Sequence, residues 1–320
     1  MTEATRPMRV LVVGAGAIGG YFGGRLAEAG RDVTFLVRPG RAALLARDGL
    51  VIRSPRGDVV LAPATVLAEQ IERPFDLIVL SCKAYDLDSA MDGIARAVGR
   101  GTVILPLLNG IAHIDALDAR FPGAHVFGGQ CAISSTLDRS GAVLHLADGA
   151  SLSFGARDAA GAERVAAVSA VMLGTAGFEA RASPAIMQDM WEKWVFLATL
   201  AAMTCLMRSA VGDIVTAGGE GAIRGVFEEC RSTAAAEGFA PRETHTTRSL
   251  AMLTSPASKF TASMLRDVEN GGRTEADHVI GDLLRRRDAH FGGEDGLLRV
   301  AYLQLKAYEA RRLREAAEKG

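Results

Sequence analysis

Two stretches of this chain bring together residues that could do chemistry. The first is Gly14-Ala15-Gly16-Ala17-Ile18-Gly19, which leaves the apolar run Val10-Leu11-Val12-Val13. Three of those four apolar residues are β-branched, and the run reads as a buried parallel strand. Behind the glycines, Tyr21 to Gly30 reads as a helix closed by Gly30. Between a strand and a helix this spacing suits a pyrophosphate. Gly14 allows the tight turn, Gly16 lets the backbone approach the ligand, and Gly19 lets the helix lie close on the strand. The phosphates then sit at the helix N-terminus. The second stretch is Met190 to Met207, apolar almost all round, which reads as a helix buried on every side. Inside it stands Lys193. Trp191 and Trp194 share one stripe, while Lys193 points elsewhere, in line with Leu197, Ala201 and Thr204. An ammonium there is costly unless it is paired, functional, or snorkels from the first turn to solvent.

The elements that must position these groups follow in order. Asp32 to Val37 reads as the second strand, with Arg38 at its C-terminal end. An NAD-specific site would place an Asp or Glu about here for the ribose 2′-hydroxyl. Arg38 and Arg41 stand there instead and suit a 2′-phosphate, which favours NADPH over NADH. Gly49 to Leu61 reads as a hairpin around Ser54-Pro55-Arg56-Gly57-Asp58. Phe75 to Leu80 is a further strand that ends in Ser81-Cys82-Lys83, and Thr102 to Leu105 another, followed by Pro106-Leu107-Leu108-Asn109-Gly110. Strands alternating with helical stretches such as Asp88 to Val98 predict a doubly wound parallel sheet, with ligands at the carboxyl ends of its strands. Arg38, Lys83 and Asn109 all fall at that edge. Strand signals continue through His125–Phe154 and Gly177–Arg181 and stop near Ser183-Pro184. The expected domains are therefore 1–183, a nucleotide-binding α/β unit, and 184–320, a helical unit.

Composition narrows the function classes. The chain has 320 residues, 49% of them hydrophobic and 23% charged, enough for two domains with sizeable cores. A net charge of -1 gives no field that would draw nucleic acid or an acidic membrane, and neither is expected as a partner. Cys82, Cys131, Cys205 and Cys230 form no C-x-x-C pair, and the six histidines are scattered. Reduced thiols, no metal site and a cytoplasmic location are expected. The apolar helical half suits a homodimer.

The sequence resembles the ketopantoate reductase (2-dehydropantoate 2-reductase) family. The matching pieces are Gly14-Ala15-Gly16-Ala17-Ile18-Gly19, the Leu-Val-Arg ending at Arg38, Lys83, Leu108-Asn109-Gly110, Trp191-Glu192-Lys193, Ser263-Met264-Leu265-Arg266-Asp267 and Arg273-Thr274-Glu275. The resemblance implies a Rossmann-type N-terminal domain with an all-α C-terminal domain, as in 6-phosphogluconate dehydrogenase. It implies that Arg38 holds the 2′-phosphate of NADPH, and that Lys83 and Asn109 lie near nicotinamide and substrate. It further implies Lys193 as the catalytic acid, Ser263 on the substrate carboxylate, and Glu275 supporting substrate and lysine. Without the resemblance, Ser263 reads as a helix cap and Glu275 as a solvated helix residue.

The implied reaction is reduction of a 2-oxo acid to a 2-hydroxy acid. In the family this is ketopantoate to pantoate, for pantothenate biosynthesis. The sequence departs from the family in the substrate region. The family's central helix carries asparagines four and eight residues after the lysine, and here those positions are Leu197 and Ala201. A third appears as Val211. Two alternatives stay open: a reductase of the same fold acting on a more apolar carbonyl, and a non-catalytic NADPH-binding regulator.

Overall fold

The computed structural model describes residues 6–293 and 295–318. Contacts divide the chain into two compact units, Met1–Leu108 with His113–Ile186, and Asn109–Ala112 with Met187–Gly320. The first unit runs β1 (Arg9–Val13), α1 (Ala17–Glu28), β2 (Asp32–Leu36), α2 (Pro39–Asp48), β3 (Leu50–Arg53), β4 (Val59–Leu61), β5 (Ala64–Val66), β6 (Leu77–Leu80), α3 (Leu87–Ile94) and β7 (Val103–Pro106). It continues through α4 (Ala112–Arg120), β8 (His125–Val126), β9 (Gly128–Leu137), β10 (Val143–Gly155), α5 (Ala159–Ala162), α6 (Val165–Met172) and β11 (Glu179–Ala182).

Six strands form a sheet in the order β5-β2-β1-β6-β7-β8, every pair parallel. The chain leaves β1 for β2 on one side and returns to β6 on the other. That reversal between β1 and β6 is where such sheets bind ligands, beyond the strands' carboxyl ends. The strand from Val10 to Val13 is buried, as a parallel strand covered on both faces must be. The expected hairpin also forms, as β3 and β4, but it belongs to a second sheet. There β10 pairs with β3, β9 and β11, an arrangement the local pattern did not reveal.

The helical unit comprises α7 (Ile186–Met207), α8 (Val211–Thr216), α9 (Glu220–Ala236), α10 (Glu243–Leu253), α11 (Ser263–Glu269), a π-helical turn (Asp277–Gly281), α12 (Asp282–Phe291) and α13 (Leu297–Ala317). The expected boundary at Ser183-Pro184 moves by three residues. β11 pairs with β10, and Ser183 N donates to Phe154 O at 2.7 Å, which ties the segment to the first unit as far as Ile186. The central helix α7 starts four residues before the expected Met190, and it is not buried on every side. Lys193, Phe196 and Leu197 are half-buried, so one stripe of the helix is accessible. Among the described residues no helix is long and apolar enough to cross a membrane.

Candidate functional site

In the first unit the glycine turn has the form its spacing predicts. Gly14 adopts φ +88, a conformation that L side chains rarely take, and its N–H donates to Leu36 O at 2.9 Å. A Cβ on Gly14 or Gly16 would meet nothing within 4 Å, so the space above the turn is open. A Cβ on Gly19 would lie 2.2 Å from Gly14 O and 2.3 Å from Ser81 Oγ. The third glycine is therefore required by close packing, and Ser81 Oγ in turn donates to Val13 O at 3.0 Å. Gly16 occupies the capping position of α1 without a side-chain cap. The N–H groups of Ala17, Ile18 and Gly19 open the helix, where no intrahelical acceptor reaches them. An open cradle above a helix start, with its positive dipole end, fits a pyrophosphate.

The two arginines after β2 differ in what they do. Arg41 donates from Nε and from a terminal nitrogen to Ala15 O, at 3.1 and 2.7 Å. Burial lowers its pKa from the ordinary value. It braces the glycine turn from below, rather than standing free for a phosphate. Arg38 caps α2 with its side chain 76% exposed and meets Asp86 at 3.4 Å, a loose surface pair. Arg38 is thus the guanidinium available at the end of β2. Lys83, half-buried, follows β6 by three residues, and Asp86 N donates to its carbonyl at 2.9 Å.

In the helical unit, Lys193 Nζ donates to Asn109 Oδ1 at 3.3 Å. Asn109 leaves β7 by three residues, yet its contacts group it with the helical unit. The lysine is half-buried and this amide is one of the groups that hold it, so it does not simply snorkel to solvent. Trp191 and Trp194 lie together on another stripe, ring centroids 4.9 Å apart, both buried. Trp194 Nε1 donates to Val279 O at 2.8 Å, pinning the π turn to α7 one residue after the lysine. Single π turns inside helices gather at functional sites. Glu275, buried, lies just before this turn, and its carbonyl accepts from His278 N and Val279 N at 3.1 and 2.9 Å.

Ser263 stands exposed at the first position inside α11, and the capping residue is Ala262. Its hydroxyl is not spent on a cap. Ala262 N donates to Thr204 Oγ1 at 3.4 Å, which seats the start of α11 against the far end of α7. There the expectation for Ala201 changes. Leu197 is half-buried and open to a ligand, whereas Ala201 is only 3% exposed and belongs to the core. Phe196, one turn past Lys193, takes its place on the accessible stripe and stacks on Phe260 at 6.0 Å. The sequence carried a signal for Phe196, since residues three apart share a helix face. It carried none for Phe260, which a distant loop delivers.

The described cysteines are free thiols. Burial pushes Cys205 and Cys230 up to about 12, which leaves both unreactive.

The family model for ketopantoate reductase PanE/ApbA matches residues 10–159, and that for its C-terminal region matches residues 185–292. An uncharacterized oxidoreductase of Bacillus subtilis, YkpB, is 36% identical over 95% of this chain and 99% of its own length. The 2-dehydropantoate 2-reductase of Halobacterium salinarum is 30% identical over 88% of this chain and 93% of its own. Among solved structures, 2-dehydropantoate 2-reductase from Methylococcus capsulatus superposes with a TM-score of 0.84, at 28% identity, over 95% of this chain and 98% of that one. On these matches, the chain belongs to the ketopantoate reductase family.

Proposed function

We propose that this chain is an NADPH-dependent reductase that converts a 2-oxo acid into a 2-hydroxy acid, with a preference for substrates that are apolar at the end away from the carboxylate. The observation that carries the reading is the Lys193–Asn109 hydrogen bond on the accessible stripe of an otherwise apolar helix.

The glycine turn and the start of α1 would hold the pyrophosphate, and Arg38 the 2′-phosphate. When bound, the reduced nicotinamide supplies a hydride to the carbonyl carbon. Lys193 does the complementary work. Its ammonium polarises the carbonyl oxygen and gives up a proton as negative charge develops there, which stabilises the product alkoxide as a hydroxyl. Asn109 orients the lysine by accepting one of its three N–H groups. Ser263 would bind the carboxylate through its exposed hydroxyl, and Glu275 would orient the lysine or a substrate hydroxyl.

Leu197 supports the apolar preference. Its side chain offers no hydrogen bond, so a substrate hydroxyl placed against it loses water without replacement, at a cost of about 1–3 kcal/mol. Phe196 and Phe260 extend that apolar surface.

The test is NADPH oxidation over a panel of 2-oxo acids running from ketopantoate to branched and aromatic members. Turnover fastest on an apolar member supports the proposal. NADPH binding without turnover of any member would instead identify a cofactor-binding regulator.

A further inference from the structure

We propose that His278 is a positioning residue, which holds the Asn109–Gly110 turn so that Asn109 can orient Lys193. This rests on the reading of Lys193 and Asn109 given above.

The π turn brings His278 against that turn at two points. The imidazole hydrogen-bonds to the Asn109 backbone, and the carbonyl of His278 itself packs against Gly110. A Cβ on Gly110 would lie 3.0 Å from His278 O and 3.1 Å from His278 Cδ2, and Gly110 has φ +77. A side chain at position 110 would therefore be crowded by the histidine and strained in its backbone. The π turn is itself anchored, by Trp194 Nε1 to Val279 O. A closed circuit results. Trp194 holds the π turn, His278 holds the Asn109 backbone, and the Asn109 side chain holds Lys193, the neighbour of Trp194 on α7.

Burial lowers the imidazole pKa below its ordinary value, against the carboxylates of Glu275 and Asp282, which oppose that shift. The ring is accordingly neutral near pH 7, with one N–H to donate to a carbonyl. A neutral anchor suits the place, because a second cation near Lys193 would oppose its ammonium.

The experiment compares wild type with His278→Ala and His278→Gln, the second of which keeps an N–H donor. Three quantities are measured: kcat and KM on the best 2-oxo acid, NADPH affinity by titration calorimetry, and backbone amide exchange at residues 107–112 in the ligand-free protein. His278→Ala should lower kcat by roughly 10–100-fold, the scale for a catalytic group displaced by about an ångström, with KM nearly unchanged. Loss of one hydrogen bond should speed exchange at 107–112 by about five- to tenfold. His278→Gln should restore most of both, and NADPH affinity should stay close to wild type in each variant. Unchanged exchange in His278→Ala, or a Gln variant as impaired as the Ala variant in both readouts, would overturn the proposal. Wild-type kcat in Lys193→Ala would overturn the role given to the lysine, while exchange in the ligand-free protein still reports on the anchor.

Discussion

Lys193 Nζ lies 3.3 Å from Asn109 Oδ1, so a cation in an apolar helix is steadied by a neutral amide. An amide orients the ammonium without neutralising it. The hydrogen bond fixes the direction of the ammonium on the accessible stripe of α7.

Removal of this ammonium should therefore be felt in the chemical step. Lys193→Ala should lower kcat by roughly 10²–10⁴, the range for a positioned general acid. The glycine turn and Arg38 belong to the first unit, so NADPH affinity by calorimetry should hold. Near wild-type turnover in the variant would make the lysine structural.

Cofactor choice should depend on one arginine of the two. Arg38→Ala should weaken NADPH by about 1.5–3 kcal/mol, the worth of a charged hydrogen bond, and leave NADH nearly unchanged. Arg41→Ala should weaken both cofactors alike, because Arg41 supports the turn through Ala15 O. Equal losses for NADPH and NADH in Arg38→Ala would count against the assignment.

The two departures on α7 should behave differently when an amide is introduced. Leu197→Asn changes the accessible stripe and should improve kcat/KM for ketopantoate relative to its deoxy analogue. The shift should stay within about 10–200-fold, as expected for one small feature of a pocket. Ala201→Asn forces an amide into the core and should cost about 1–3 kcal/mol of stability by overpacking. A denaturant titration separates the two outcomes. A wild-type preference for ketopantoate, unimproved in Leu197→Asn, would show that another residue serves the hydroxyl.

A buried charge cluster beside the lysine should limit acid stability. Glu192 is only 3% exposed and accepts from Arg242 N and Nε at 2.8 and 2.7 Å, and Asp189 pairs with the same guanidinium. Burial pushes the Glu192 carboxyl up, but the hydrogen bonds from Arg242 outweigh it and the net shift is downward from 4.5. A carboxyl lowered on folding contributes stability above its unfolded value, and that contribution disappears as pH falls through the folded one. Thermal midpoints of the wild type should therefore drop below about pH 4.5. Arg242→Ala, which removes the guanidinium from two buried carboxylates, should cost about 3 kcal/mol near neutral pH. A loss of less than half a kilocalorie would show that water already serves the cluster.

What could be read from the sequence followed from how local each requirement was. Gly14 and Gly19 answer to a dihedral angle and a Cβ's worth of space set by immediate neighbours, so their spacing announced the turn. Lys193 announced itself because an ammonium in an apolar run is conspicuous. The different duties of Arg38 and Arg41 could not be read, since both follow the same strand and only the folded turn shows which one meets Ala15. Ala201 and Leu197 share a helix face by spacing, but Ala201 is buried in the core and Leu197 only half-buried, a difference set by what packs on the helix and not by its own sequence. His278 gave no signal at all. Its role depends on a π turn, whose extra residue breaks the periodicity by which helical faces are read.

The pairing of Trp191 with Trp194 on one turn of α7 has a spectroscopic consequence. These are the chain's two tryptophans, so its indole emission originates wholly beside Lys193, with the Arg286 guanidinium over both rings at 5.6 and 5.9 Å. Excited near 295 nm, the protein will report the melting of its helical unit, while loss of the nucleotide-binding sheet passes almost unseen.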